Sequence, residues 1–421
     1  MKEYQLHRNI LCIDLKSFYA SVECAVRGLD PFRTPLIVAD QGRGGGSIVL
    51  AVSPYLKARG LPSRCRIYEI PTDLPVIFAK PRMSLYLEFS TRIIEIYLRF
   101  ISEDDLHIYS IDEAFLDVTS YLKYYGMSDL EMAKEILSTV LAETRINATC
   151  GIGPNLLISK LALDLEAKKA PDAIAKWGYE DIEHKLWPVT PLSEMWGIGY
   201  NMQRNLNALG LYRVGDIARY DRKKLKKRFG ILGEELYFHA HGIDMSLIQD
   251  RMKLAPRRKS YGIGQTLFHD YYVPDIFQVM LEMVDDVCRR LRYNRVGAKT
   301  IALGIGYSKS VGGGFSRRIM IEHPTTNEKK IYDLCLYLFR ANYEGEPIRS
   351  ISVSVTNLEK LRYYQYSLFE DAEAHLKEER LFSTIDRIKE AHGKNAVNRA
   401  SSELESSTVK ARNERIGGHN A

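Results

Sequence analysis

The chain of 421 residues contains no apolar run of about 18 residues, the length a membrane-crossing helix requires. Its first residues lack the basic, apolar and small-residue succession of a secretory signal. Six cysteines, at 12, 24, 65, 150, 288 and 335, are scattered and form no C-x-x-C pair. That spacing argues against a zinc site and for reduced thiols in a cytoplasmic protein. A strong charge of either sign is missing as well: the formal net charge of +6 names no partner by itself. The glycines at 42 and 44–46 lack the Gly-Lys-Ser/Thr ending of a phosphate loop and run into a strand, so they read as a hairpin turn. What remains is a globular composition, 45% hydrophobic, at a length that suggests two to four domains.

Against that background one stretch stands out, Ser110-Ile111-Asp112-Glu113-Ala114-Phe115-Leu116-Asp117. By strand alternation Ile108, Ser110 and Asp112 point one way and Tyr109, Ile111 and Glu113 the other, before an apolar run resumes. The pattern predicts a hairpin, or a kinked strand, with carboxylates at its tip. Adjacent acids in an apolar setting are costly to bury unless something neutralises them. A solvated turn satisfies that need, and so does a pair of Mg²⁺ ions. Residues 9–15 supply a second acid: a short apolar strand carries Asp14 near its end, and a helical stretch with Phe18 and Tyr19 follows.

Taken together, Ile13-Asp14-Leu15-Lys16-Ser17-Phe18-Tyr19-Ala20-Ser21-Val22-Glu23 and Tyr109-Ser110-Ile111-Asp112-Glu113-Ala114-Phe115 resemble the two metal-holding motifs of the Y-family, translesion DNA polymerases. The resemblance is strongest to the bacterial UmuC-like branch, the ImpB/MucB/SamB family, and runs from residue 9 to about 370. It implies an α+β multidomain fold, a right hand with palm, short fingers, helical thumb and α+β little finger. The palm would comprise 1–20 and 81–175, the fingers 21–80 and the thumb 176–244. A linker at 245–260, a little finger at 261–361 and a tail at 362–421 would follow.

Read along the chain, the fingers hold a strand at 35–39, a returning strand at 47–52, and a helical turn at 54–60 closed by glycine. Residues 81–104 read as one long helix with Leu85, Phe89, Ile93, Ile96 and Phe100 on one face. Residues 128–145 read as a second, with Ser128 as cap and Glu131 three residues on. A strand at 148–153 and a helix over 155–168 complete the palm. Trp196-Gly197-Ile198-Gly199 followed by Val214-Gly215-Asp216-Ile217 reads as a helix-hairpin-helix, whose glycines let backbone N–H groups approach a phosphate. In 261–361 the order strand, helix, two strands around Gly312-Gly313-Gly314, helix, strand fits one sheet with two helices. Beyond 370 the expectation is a charged helix to 391 and a disordered, polar end from Gly393.

For the site, the resemblance implies Asp14, Asp112 and Glu113 as catalytic ligands of two Mg²⁺ ions, with the Leu15 carbonyl completing one metal's shell. Asp117 reads as structural. Tyr19 matches the steric gate that excludes a ribose 2′-hydroxyl, and Phe18 would lie beside the phosphates or in the core. Lys57 falls where the family carries a triphosphate-gripping base, against the alternative of a solvated helix face. The second triphosphate cation is Lys168, with Lys169 and Lys160 left open, because family members have one residue fewer before that lysine. Primer-template DNA would meet Gly197, Gly199, Arg257, Arg258, Lys309, Arg317 and Arg318. Gln365, Leu368 and Phe369 resemble the motif that binds the bacterial sliding clamp, its beta subunit. The UmuC-like branch adds a small accessory dimer and a recombinase filament as further partners. The implied activity is error-prone translesion synthesis within an SOS-type damage response. The rivals are a DNA-binding scaffold that needs accessory subunits, and a different two-metal enzyme such as a nuclease.

Overall fold

The computed structural model describes residues 1–253, 258–361 and 372–420. The chain divides into two compact units, one ending at Ala255 and the other starting at Pro256.

In the first unit the apolar residues 10–13 form strand β1 (Ile10–Leu15), buried except at Asp14. Helix α1 (Phe18–Val26) follows after a Ser17 held in the left-handed region. β2 (Leu36–Val38), β3 (Ala51–Val52), α2 (Pro54–Lys57) and β4 (Ile77–Ala79) come next. β2 pairs antiparallel with β3, as a hairpin requires, and parallel with β4, a third strand that the periodicity does not announce. Ser53 caps α2 and Gly60, at φ +84°, closes the turn after it. α3 (Met83–Tyr97) is shorter than the sequence suggests: after Tyr97 the backbone tightens into i→i+3 bonds, from Arg99 to Ile96 and from Phe100 to Tyr97.

β5 (Leu106–Ile108) and β6 (Glu113–Asp117) form the expected hairpin. α4 (Leu122–Tyr125) leads into α5 (Asp129–Thr144), which begins with the reciprocal Ser128–Glu131 capping box. β7 (Ala148–Gly153), α6 (Leu156–Ala162) and β8 (Ile174–Lys176) complete a five-stranded sheet in the order β5-β6-β1-β7-β8. Gly151 and Gly153 permit a close approach here. A Cβ on Gly151 would stand 2.1 Å from the Ser159 carbonyl oxygen, and one on Gly153 would stand 2.6 Å from the Ser159 nitrogen. α6 therefore lies directly on the strand backbone, and the side chains projecting from it are fixed relative to β1.

The thumb-like part contains α7 (Tyr200–Asn207), α8 (Val214–Arg219), α9 (Arg222–Phe229), α10 (Ile231–Ala240) and α11 (Ile248–Lys253). One apolar cluster joins it to the sheet: Cys12, Phe115, Leu157 and Leu161 share a core with Ile198, Leu206, Ile217 and Leu236. Part of the stretch read as linker is thus helical, with Ile248 buried in that cluster. All six cysteines are buried free thiols.

The second unit is a four-stranded antiparallel sheet in the order β11-β10-β12-β9 with two helices on one face. Its elements are β9 (Ser260–Tyr271), α12 (Asp275–Tyr293), β10 (Val296–Tyr307), β11 (Gly314–Thr325), α13 (Glu328–Arg340) and β12 (Ile348–Lys360). The core lies between sheet and helices, where Ile301, Leu303, Val353 and Val355 meet Val279, Met283, Val287 and Ile331.

The end of the chain departs from expectation. α14 (Ala372–His392) forms, and the residues after Gly393 are ordered, with α15 (Val409–Asn413) and a small hairpin of β13 (Arg415–Ile416) and β14 (His419–Asn420). Charge pairing explains it. α12 and α13 present Glu282, Asp285 and Glu328, which the tail covers with bases and hydroxyls, and α12 also presents Arg292 to an acid of the tail. Arg292 forks onto Asp386 at 2.7 and 3.0 Å, and Lys389 reaches Asp285 at 3.0 Å. Glu282 accepts from Ser407 Oγ at 2.6 Å and from the Thr408 N–H at 3.1 Å. Arg399 pairs with Glu328, which is 2% exposed.

Burial, reinforced by Asp285, pushes the Glu328 carboxyl up to about 7 against the pull of Arg399. Because the folded value is raised, ionising Glu328 costs stability as pH rises through 7. Arg399→Ala removes the partner and should destabilise the unit by about 1–3 kcal/mol at pH 8. Thermal melts should show a smaller loss near pH 5, where Glu328 holds its proton, and partial recovery in the double variant with Glu328→Gln. An equal loss at both pH values would contradict this.

Candidate active site

β1 lies beside β6 and β7, and the register sets Asp14 opposite Glu113 on one side and Thr149 on the other. The turn between β5 and β6 folds over the end of β1, where the Leu15 N–H donates to the Asp112 carbonyl at 2.9 Å. Two further bonds fix that turn: Ser90 Oγ donates to the Ile111 carbonyl at 2.6 Å, and Ser110 Oγ to Asp112 Oδ1 at 2.7 Å. Residues a hundred positions apart thus bring three carboxylates to one sheet end. Asp117 is set apart, paired with Arg8 at 2.6 Å and bonded by Thr119.

Lysines answer the acids. Lys160 Nζ, on α6, lies 2.8 Å from Glu113 Oε1 and 2.9 Å from Asp164 Oδ2. Lys168 Nζ lies 2.8 Å from Asp164 Oδ1 and 3.2 Å from Asp14 Oδ2. The result is a chain of alternating sign, Glu113–Lys160–Asp164–Lys168–Asp14. The two lysines are eight residues apart, which on a straight α-helix would turn the second roughly 80° off the face of the first. A π turn over Leu163–Ala167 absorbs the extra residue, closing with a Lys168 N–H to Leu163 carbonyl bond at 3.2 Å. Both lysines therefore reach the acids, and Lys169 lines the cleft beside them. Asp164 was not singled out in the sequence, although its place four residues from each lysine is a readable signal.

The cleft, of about 930 Å³, is lined by Asp14, Leu15, Tyr19, Lys57, Asp112 and Lys168 among others. Burial raises the Asp14 pKa, Lys168 opposes it, and Asp112 and Glu113 add to it, leaving the carboxyl at about 6. Lys57 belongs to this wall: burial lowers its pKa and Asp14 draws it up. The start of α1, whose first N–H groups have no intrahelical acceptor, lines the cleft through Phe18 and Tyr19. Ser17, before them, sits at φ +50° with a buried Oγ that has no partner. Phe18 is buried, 3% exposed. Tyr19 stacks on Tyr86 at 4.5 Å and 16°. The Tyr86 hydroxyl donates to fully buried Glu23 at 2.8 Å, and Arg82 bonds Glu23 at 2.6 and 3.0 Å. Glu23, Arg82 and Tyr86 form a backing that sequence reading missed.

Among the described residues no three carboxylates are already gathered into a coordination cluster. Glu113 and Asp14 are each held by an ammonium instead. The donors at this sheet end are hard oxygens, the set that fits Mg²⁺.

Elsewhere, Gly197 is at φ +92° and Gly199 caps α7, and the space a Cβ would occupy at each is open. Trp196 Nε1, beside them, bonds Tyr109 Oη of the acidic hairpin at 3.2 Å. A second hairpin, basic α9 into α10 around Gly230, exposes Ile231 and Leu232. In the sheet of the second unit, Arg317 and Arg318 are consecutive, so they cannot share a face. Phe315 and Ile319 pack toward the helices, and Arg317 follows them to bond Asn342 at 2.9 Å. Arg318 is left on the open face, beside Ser316 and the 73% exposed Met320. Arg258 lies over Tyr261. Arg257, Gln365, Leu368 and Phe369 lie outside the described residues.

Comparison with known proteins follows this geometry. Residues 13–164 match the impB/mucB/samB family, 258–368 the C-terminal domain of that family, and 179–211 its HHH motif. The chain is 45% identical to the "Putative UV-damage repair protein UvrX" of Bacillus subtilis, over 98% of this chain and 97% of that one. It is 33% identical to "DNA polymerase IV 2" of Halalkalibacterium halodurans, over 97% and 98%. The fold matches a solved "Y-family DNA polymerase chimera Dbh-Dpo4(243-245)-Dbh" at TM-score 0.65 and 22% identity, covering 84% of this chain and 99% of that one.

The raised Asp14 value sets a test. Its folded pKa lies above the unfolded 3.8, so the cost of ionising it grows as pH rises from 3.8 to about 6 and is complete above. In EDTA, Asp14→Asn should melt above wild type at pH 8, by up to about 3 kcal/mol, with the gain shrinking toward pH 4. A variant less stable than wild type at every pH would refute the account of Asp14 as an acid strained chiefly by burial.

Proposed function

The chain belongs to the impB/mucB/samB family of Y-family DNA polymerases, and from that premise we propose that it is a DNA-directed DNA polymerase performing error-prone translesion synthesis in a damage response of the SOS type. The observation that carries this reading is the meeting, in one cleft, of Asp14 and Asp112 with Lys57, Lys168 and the start of α1, and the register that sets Glu113 directly beside Asp14.

Asp14, Asp112 and Glu113, with the Leu15 carbonyl, would hold two Mg²⁺ ions. When bound, these ions lower the pKa of the primer hydroxyl and offset charge on the leaving pyrophosphate. The remaining work falls to the chain's own groups. Lys57 and Lys168 attract the triphosphate as point charges, and the free N–H groups at Phe18 and Tyr19 receive phosphate oxygens. The Tyr19 ring, backed by Tyr86, fills the space under the sugar where a 2′-hydroxyl would project. Glycines 197 and 199 bring a helix start to the DNA backbone without reading bases. Arg258 and the open face carrying Arg318 supply further phosphate contacts, and residues 365–369 dock on the sliding clamp. A small accessory dimer and a recombinase filament would regulate access to damaged templates.

Primer extension with Mg²⁺ and dNTPs tests the reading. Wild type should give short products, while Asp112→Ala and Glu113→Ala should each slow extension about 1,000-fold, near 4 kcal/mol in the barrier. In the same assay Tyr19→Ala should raise the ratio of ribonucleotide to deoxynucleotide incorporation. Shortening of the primer would identify a nuclease, and no extension even with clamp and accessory subunits would identify a scaffold.

The clamp contact has its own outcome. Replacing Leu368 and Phe369 with Ala should keep unaided extension and abolish stimulation by clamp. Equal stimulation of both proteins would remove residues 365–369 from that role.

A further inference from the structure

The two lysines of the charge chain differ in exposure. Lys160 is enclosed, its side chain 7% exposed between Glu113 and Asp164, on a helix seated against the glycines of β7. Lys168 lines the cleft, 37% exposed, with one contact to Asp14 and one to Asp164. Its ammonium sits 3.2 Å from Asp14 Oδ2. Asp14 is therefore already neutralised, by a cation covalently attached to the protein. A ligating carboxylate cannot keep a close ammonium and accept a divalent ion on the same oxygen without strong repulsion between the two cations. Asp164 offers the displaced ammonium an oxygen 2.8 Å away, so Lys168 can leave Asp14 without leaving the site.

We propose that Lys168 is a resident counter-ion that competes with metal for Asp14, and that Asp164 is the positioning residue that retains Lys168 when metal displaces it toward the incoming triphosphate. This rests on the polymerase reading for the identity of the triphosphate, but the competition itself does not. The arrangement keeps the buried acid pair neutralised in the empty protein. It also makes metal entry and nucleotide entry favour each other, since each draws Lys168 off Asp14 or gains from its release.

The test is Mn²⁺ binding to the full chain without DNA or nucleotide, read as loss of the free-ion electron paramagnetic resonance signal. Asp112→Ala identifies the portion of binding that belongs to this cleft. Lys168→Met should tighten that portion about tenfold, the effect of removing one close opposite charge from a carboxylate. Lys169→Met removes the same charge from the same wall but no bond to Asp14, and should change affinity less than about twofold. Asp164→Asn should weaken binding, because Lys168 then has Asp14 as its one partner of this pair. Equal tightening in both lysine variants would mean a general field effect and overturn the proposal, as would weaker or unchanged binding in Lys168→Met. Absence of cleft binding in wild type with its appearance in Lys168→Met would support it, and absence in both would overturn it. Primer extension separates the two ideas. A cleft with this affinity pattern that extends no primer sinks the polymerase reading alone, and an active polymerase whose Mn²⁺ affinity ignores Lys168 sinks this one alone.

Discussion

The structure of the first unit turns on the neutralisation of carboxylates gathered at the end of a buried sheet. Isolated, they would repel one another and resist burial. The alternating chain from Glu113 through Lys160, Asp164 and Lys168 to Asp14 offsets part of that cost. It depends on backbone geometry: glycines at 151 and 153 let α6 press onto β7, and the π turn returns Lys168 to the face of Lys160. An alanine at Gly151 would push the helix off the strand and both lysines off their acids.

A second network fixes the other wall. Glu23 is fully buried and held by Arg82, Arg27 and Tyr86. Breaking such a network leaves an uncompensated charge, which costs far more than an exposed pair contributes. That cost makes Tyr86 a rigid support for the Tyr19 ring. The support beneath the Tyr19 ring thus rests on a buried charge network.

The second unit solves a similar problem by different means. Its helices carry the acids Glu282, Asp285 and Glu328, and the tail supplies their partners. The opposite face of the sheet is lined by small residues such as Gly262, Gly264, Ser352 and Gly304, with Arg318 at its edge strand. Such a face lets a polyanion's backbone approach closely while a few long bases reach it.

Much of this was legible in the sequence, because local pattern carries it. Strand alternation around Asp112, the Ser128–Glu131 cap, the glycines flanking Ile198 and the order of elements over 261–361 each depend on residues near one another. The pairing of the two acidic motifs, about a hundred residues apart, was legible through the family resemblance instead. Other features were illegible for one shared reason: they depend on partners distant in the chain. The tail after Gly393 reads as polar and unstructured, yet it orders because acids more than seventy residues earlier await its bases. Arg317 and Arg318 look alike as neighbours, and only the sheet sends them to opposite faces. The sequence by itself determined which residues could bear charge at the cleft. The tertiary structure decided which of Lys160, Lys168 and Lys169 touch the acids, because a one-residue widening of a helix rotates a side chain by about 100°.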